Sequence, residues 1–321
     1  MVTLGPYTLM SEDLDSKIVL QANPNYYGSR GNVQQVVALI VKDDSTALTL
    51  YETGKLDFLA DLATLDLKRL SDRPDLRRFP YLKTGYLGFS TNLYPVSSPR
   101  LRRAVAMAID RKRIAEILHG GQQPASSFVP PGMMGHDASL GLKFDPLAAK
   151  LELKGAGLDP AQKINLELLL PNWEKALTLA QFIQGELKKH LGLEVVLQPF
   201  DHKTFRANLD LKSYPLFEAS WAADYPDPDN FLSIFLSNAG NNRFSWKSDK
   251  FDEMVLTARN STNAKAREKM YIEAQRTLLE KEAVIVPLYY EPIMGLVKSR
   301  VKGLELNPLN YLYLRKINLA N

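Results

Sequence analysis

Cysteine is absent from this 321-residue chain. Disulfides, thiolate metal sites and a thiol nucleophile are therefore excluded, and redox chemistry says nothing about compartment. Histidine is scarce: the four present (His119, His136, His190, His202) are scattered, with no His-Glu-x-x-His pair to hold a protease zinc. There is no Gly-x-Ser-x-Gly elbow and no phosphate-cradling Walker loop. Gly155-Ala-Gly157 follows a helical stretch rather than a strand, so it reads as a helix stop and not as a dinucleotide loop. No apolar run reaches the roughly 18 residues of a membrane span; the nearest, Val36–Val41, reads as a strand. Charge of one sign is lacking too. The net charge of +4 is spread along the chain, and no basic block is interleaved with aromatics, which argues against a nucleic-acid partner. A signal segment, basic and then apolar, is missing at Met1-Val-Thr-Leu-Gly-Pro-Tyr7, which reads like the middle of a folded region. Removed export information or a piece of a longer protein is the expectation.

What remains is an ordinary globular composition, 45% hydrophobic and 24% charged. Single cores seldom grow past roughly 250–300 residues, so two lobes are expected. Residues 1–86 read mainly as strand, with Val33–Val41 an apolar β-branched run of the kind buried on both faces. A helix is expected over Asp44–Thr53, stopped by Gly54. Ser97 or Ser98 with Pro99 starts a second helix, Asp110 caps a third that ends near His119-Gly120-Gly121, and Asp145-Pro146 opens a fourth. Ile164, Leu166, Leu168 and Leu170 alternate as a strand, Trp173–Leu191 is amphipathic, and Leu193–Leu197 is again strand. A strand at 215–223, helices near 229–237, 248–260 and 264–282, and a strand at Ala283–Tyr290 complete an α/β pattern on mixed sheets. The basic group Arg100, Arg102, Arg103, Arg111 and Lys112 reads as a solvated helix face.

The most informative segment is Ser220-Trp-Ala-Ala-Asp-Tyr-Pro-Asp-Pro-Asp-Asn-Phe-Leu232. An apolar strand leads into Asp224, and Pro226 and Pro228 then force the backbone out of the sheet. A carboxylate beside Trp221 and Tyr225 at that exit is placed to hold a cation in an apolar pocket. Asp227 and Asp229 read as turn-formers and caps for the following helix. A calcium loop would need glycine where the prolines stand, and a glycosidase pair cannot be judged from spacing. Trp221 reads equally well as core, and Asp224 as a turn cap.

Several segments in order resemble the extracytoplasmic oligopeptide- and dipeptide-binding proteins of bacterial ABC importers, solute-binding protein family 5. They are Gly5-Pro-Tyr7, Asn23-Pro-Asn-Tyr-Tyr-Gly28, Tyr51-Glu-Thr-Gly-Lys-Leu-Asp57, Arg100-Leu-Arg-Arg-Ala-Val-Ala-Met-Ala-Ile-Asp-Arg111, the tryptophan segment and Ile285-Val-Pro-Leu-Tyr-Tyr290. The resemblance implies an α/β fold of periplasmic-binding-protein-like (type II) lobes with the N-terminal portion absent. Its parts are a first-lobe segment at 1–86, a second ligand-binding lobe at 87–290 and a return to the first lobe at 291–321. It also implies a monomeric, non-enzymatic receptor, periplasmic or anchored at the cell surface, that closes on a short peptide by hinge motion and hands it to a membrane permease. Neither cofactor nor metal is implied. Asp224 would receive the ligand's α-ammonium group in the inter-lobe cleft, with Trp221 and Tyr225 beside it. His119 would meet the ligand carboxylate, although as a helix end it serves equally to offset the macrodipole. Ala176 and Glu218 stand where oligopeptide binders carry positive residues, which leaves ligand length and chemistry open; Glu218 favours a cationic ligand or rejects a free carboxylate. Other solutes of the same fold (a metal chelate, an opine-like compound, an oligosaccharide) and a carboxylate-dependent hydrolase are the alternatives.

Overall fold

Turn chemistry and side-chain alternation decide where the elements of this chain fall. The computed structural model describes residues 3–60, 62, 67, 69–158 and 164–320. In chain order the strands are β1 (Tyr7–Asp13), β2 (Lys17–Ala22), β3 (Gln35–Leu39), β4 (Phe58–Ala60), β5 (Leu76–Phe79), β6 (Lys83–Phe89), β7 (Gln123–Pro124), β8 (Asn165–Pro171), β9 (Glu194–Phe200), β10 (Leu216–Ala222), β11 (Ile285–Tyr290) and β12 (Ile293–Val297). The helices are α1 (Asp44–Glu52), α2 (Pro99–Ala108), α3 (Arg111–Leu118), α4 (Pro146–Gly155), α5 (Glu174–Leu191), α6 (His202–Leu211), α7 (Pro228–Leu232), α8 (Asp249–Asn260) and α9 (Ala264–Arg276). The chain divides into two compact units, Met1–Tyr81 with Pro292–Asn321, and Leu82–Glu291.

The first unit holds two antiparallel sheets, β1-β2-β3 and β4-β12-β5. The Asp43 side chain caps α1, which ends before Gly54 at φ +77°, a conformation that costs glycine nothing. Tyr51 of α1 is fully buried with Leu48, Leu70 and Leu296, and its hydroxyl donates to Asp75 Oδ2 at 2.9 Å. Sequence led us to expect Val33–Val41 buried on both faces. Instead β3 is an edge strand that pairs only with β2 among the described residues, and Val37 and Leu39 are exposed. A run of β-branched residues encodes strand preference; it does not encode how many layers cover the strand.

The second unit is built on one mixed six-stranded sheet, ordered β7-β11-β6-β10-β8-β9. Strands β9, β8 and β10 run parallel, and β6 and β11 add antiparallel pairs. All of β6 belongs here, since its seven residues pair with β10 from Phe89 opposite Leu216 to Lys83 opposite Ala222. One face is covered by α2, α4 and α5, which bury Leu101, Val105, Leu153, Leu179, Ile183 and Leu187 against Leu168, Leu170 and Leu216. The other face carries an aromatic core in which Tyr86, Phe128, Phe217, Phe231, Phe235 and Phe244 pack edge-to-face or tilted, with Phe235 stacked on Phe244. Gly88 lies directly beneath the Phe217 ring, where a Cβ would come within 2.3 Å of it.

Two expectations fail in this unit. No helix was foreseen over 202–211, yet α6 forms there, capped by Asp201 and burying only Phe205 and Leu209. The basic group is not a uniformly solvated face. Arg102 is fully buried and Arg111 is half-buried, its Nε on Pro287 O at 2.8 Å and Nη1 on Leu142 O at 2.7 Å. Their guanidinium forks satisfy backbone carbonyls that the local strand and helix geometry leaves without partners.

Candidate functional site

Because β8, β9 and β10 are parallel, their carboxyl ends share one edge of the sheet. The antiparallel partners bring the start of β6 (Lys83) and the end of β11 (Tyr290, then Glu291) to the same edge, since Ala222 lies opposite Lys83 and Tyr290 opposite Thr84. Open α/β sheets bind ligands at such an edge, beyond the carboxyl ends of their strands. Two groups of charged residues gather there.

The first group lies just past β10. Ala223 keeps one last ladder bond, its N–H donating to Leu82 O at 2.9 Å, and the chain then turns out through Asp224 and Tyr225. Pro228 opens α7, and Asp227 caps it by accepting from Asp229 N at 2.9 Å. The three aspartates have different partners. Asp227 accepts a two-pronged Arg267 guanidinium at 2.8 Å on each oxygen. Burial pushes the Asp227 carboxyl up, and the Arg267 bonds with the Asp229 N–H outweigh that, so it is held below the usual carboxylate range. Asp229 accepts from Arg259 Nε at 2.9 Å and from the Tyr225 hydroxyl at 3.1 Å. Asp224 alone of the three has no cation among the described residues.

What positions Asp224 is Asn230, buried on α7 and not singled out from sequence. Its Oδ1 accepts from Trp221 Nε1 at 2.9 Å and from the Asp224 backbone N–H at 3.3 Å, and its Nδ2 makes a long 3.5 Å contact to Asp224 Oδ2. The side chain thus fixes tryptophan and carboxylate relative to each other. The expected apolar pocket is not what surrounds Asp224. The side chain is exposed, because Pro226 and Pro228 swing the loop off the sheet, while Trp221 is half-buried and Tyr225 is 45% exposed. His119 is the C-cap of α3 at φ 50° and is exposed; no contact joins it to the Asp224 group among the described residues. Ala176 is buried on α5.

The second group surrounds Glu218. Strand alternation puts Glu218, Ser220 and Ala222 on one face, opposite Leu87, Gly85 and Lys83 of β6. Lys175 from the first turn of α5 and Lys83 both reach the Glu291 carboxylate, Lys83 at 2.8 Å, and Lys175 Nζ also lies 5.4 Å from the centre of the Tyr289 ring. Burial alone would raise Glu291, but the two ammonium groups outweigh it and hold it at about 2. Glu218 is only 6% exposed, and burial pushes its carboxyl up to about 7 against the pull of Lys175 and Lys83. Nothing local in sequence announced this group: Lys175 and Glu291 lie 116 residues apart.

The raised Glu218 carboxyl makes folding stability depend on pH. Its carboxyl binds protons more tightly folded than unfolded, so the stability tied to its neutral form is complete below the ordinary value of 4.5 and is lost as pH rises through about 7. Glu218→Gln, which cannot ionise, is expected to raise unfolding free energy at pH 8 relative to wild type, on the order of a few kcal/mol, and to leave it little changed at pH 4. Denaturant titrations at the two pH values measure the difference. An equal effect at both would contradict the assignment.

A family model described as bacterial extracellular solute-binding proteins, family 5 Middle, matches residues 1–243. Among curated relatives, the probable deoxycholate-binding periplasmic protein YgiS of Escherichia coli is 29% identical across 99% of this chain and 61% of that protein. The periplasmic oligopeptide-binding protein OppA of Salmonella typhimurium is 30% identical across 99% and 60% respectively. The solved structure of the Escherichia coli murein tripeptide binding protein MppA aligns with a TM-score of 0.82 and 28% identity, over 99% of this chain and 64% of that one. The chain spans about three fifths of the length of the curated relatives it matches.

Proposed function

This chain belongs to the bacterial extracellular solute-binding proteins of family 5 and has the type II periplasmic-binding-protein fold, and we propose that it is a non-enzymatic receptor for short peptides. Its cargo's α-ammonium group is held by Asp224, and a membrane permease of an ABC importer receives the cargo in the periplasm or at the cell surface. The observation that carries this reading is the asymmetry among the three aspartates. Asp227 and Asp229 are neutralised by Arg267 and Arg259, while Asp224, held in place through Asn230, has no cation among the described residues at the edge where strands β8 to β10 end. A carboxylate whose geometry is fixed in advance and whose charge is unmatched suits a ligand cation, and charge-assisted hydrogen bonds are the strong ones. Trp221 and Tyr225 supply apolar surface beside it. His119, as an exposed imidazole at a helix end, is the weaker contact and belongs to the proposal only as a rim residue.

Native mass spectrometry of the chain after incubation with a random tripeptide mixture tests the reading. Peptides with a free amino end are expected to be retained and their N-acetylated counterparts to be washed away. Equal retention of the two sets would overturn the role of Asp224. A second reading has its own support, in that one relative bears the name of a deoxycholate binder, a solute with no ammonium group. Intact-mass analysis of cargo co-purified under native conditions distinguishes the two, since a steroid acid and a peptide family differ in mass pattern.

A further inference from the structure

The outer flank of α4 is apolar where a surface helix is ordinarily polar. The helix turns Ala149 and Leu153 inward, both fully buried in the core that it shares with α2 and α5. On the opposite side Leu147 is 77% exposed and Leu151 is 71% exposed, and Phe144, just before the helix, is 40% exposed. A single exposed leucine is ordinary. Two of them one turn apart, with a phenylalanine at the helix entrance, make a stripe. Lysines share it: Leu147, Lys150, Leu151 and Lys154 stand at i, i+3, i+4 and i+7, within about 100° of one another around the helix axis.

The charge on this flank is of one sign. Lys143, Lys150 and Lys154 are exposed and make no ion pair among the described residues. The two carboxylates of this segment are engaged. Asp145 accepts from the Leu147 and Ala148 backbone N–H groups, and Glu152 pairs with Arg103 of α2 at 2.9 Å. Three unmatched ammonium groups around apolar side chains suit an anionic partner. A second copy of this chain, meeting the first across a two-fold axis, would set lysine against lysine. Lysine is also depleted from protein–protein contacts. Together with leucine and phenylalanine it is instead typical of helices that lie in the interface of a bilayer. There the long stems run along apolar surface and carry their charges to the headgroups. We propose that α4 is a membrane-contact helix, with Leu147, Leu151 and Phe144 entering the headgroup boundary of an anionic bilayer and Lys143, Lys150 and Lys154 meeting its phosphates. Binding through a single ten-residue helix is weak and reversible. It keeps the protein near a membrane surface whichever cargo it carries, so it stands apart from the role of Asp224.

Flotation of the full chain with vesicles tests the contact, using phosphatidylglycerol and phosphatidylcholine in equal parts against phosphatidylcholine alone. Wild type is expected to float with the anionic vesicles at least about fivefold more than with the neutral ones, and to be released as salt rises from about 50 to about 500 mM. Leu147→Ser with Leu151→Ser, and separately Lys143→Gln with Lys150→Gln and Lys154→Gln, are each expected to lower binding to anionic vesicles at least about fivefold. All five positions are exposed, so the unfolding midpoint and peptide affinity of both variants should match wild type. Equal flotation with both vesicle types, or none with either, would overturn the proposal. So would undiminished binding by the leucine variant, which would mark adsorption by charge alone. Retention on immobilised polyglutamate without flotation would assign the flank to an acidic protein instead. Dimers in sedimentation that the leucine substitutions dissolve would assign it to a second copy.

Discussion

Arg102→Met is expected to lower the unfolding free energy by about 3–5 kcal/mol in equilibrium denaturation. Arg102 is 1% exposed, and its guanidinium donates to four backbone carbonyls: Glu282 O at 2.9 and 2.6 Å, Ala283 O at 3.2 Å, Val96 O at 2.8 Å and Ser97 O at 3.1 Å. These bonds tie α2 to the chain entering β11, where Ala283 adopts φ 45°. Methionine fills much of the same volume but offers no donor, so the cost is that of orphaned carbonyls rather than of a cavity. Burial pushes the guanidinium down to about 10, yet it remains charged at neutral pH. Arg103, its neighbour, is the control. Its side chain is 21% exposed, it pairs with Glu152 at 2.9 Å and donates to Lys281 O at 2.9 Å, and Arg103→Met is expected to cost no more than about 1 kcal/mol. Equal losses from the two substitutions would show that burial is not what makes Arg102 matter.

Asp224→Asn is expected to weaken peptide binding at least about tenfold, roughly 1.4 kcal/mol or more. Asparagine preserves shape, and its backbone N–H still reaches Asn230, so only the charge is removed. Exposure of the side chain keeps the expected loss near the lower end of the range for charged pairs, because water competes for the carboxylate. The unfolding midpoint should scarcely move, since Asp224 has no ion pair among the described residues to lose. Asp229→Asn provides the contrast. It breaks the Arg259 contact at 2.9 Å and the Tyr225 hydrogen bond at 3.1 Å, and is expected to act on stability before affinity.

How much of this could be read from sequence depends on whether the signal is local. The exit from β10 at Asp224 was legible because Pro226 and Pro228 forbid ladder bonds whatever surrounds them. The stop of α1 before Gly54 and the start of α4 at Asp145-Pro146 were written in a few adjacent residues, and both helices stand close to where they were expected. Helix α6 escaped because only Phe205 and Leu209 face inward, too sparse a stripe to stand out from a loop. The exposure of β3 escaped because strand preference says nothing about coverage. At the site, Asp224 and Trp221 lie three residues apart and were found together; Asn230, which joins them, looked like part of the following helix. Arg102 and Arg111 look identical in sequence to solvated arginines, and the meeting of Lys83, Lys175, Glu218 and Glu291 is made by strand order and by where α5 starts. Charge groups built from distant elements are invisible until topology is known.

A cargo ammonium group that meets the Asp224 carboxylate must bind more weakly once it is acetylated. Calorimetric titration of trialanine and N-acetyl-trialanine into wild type and Asp224→Asn forms a cycle that isolates this pair. Acetylation is expected to weaken binding to wild type at least about tenfold and binding to Asp224→Asn no more than about twofold. An equal penalty for acetylation in both proteins would show that Asp224 does not meet the ammonium group.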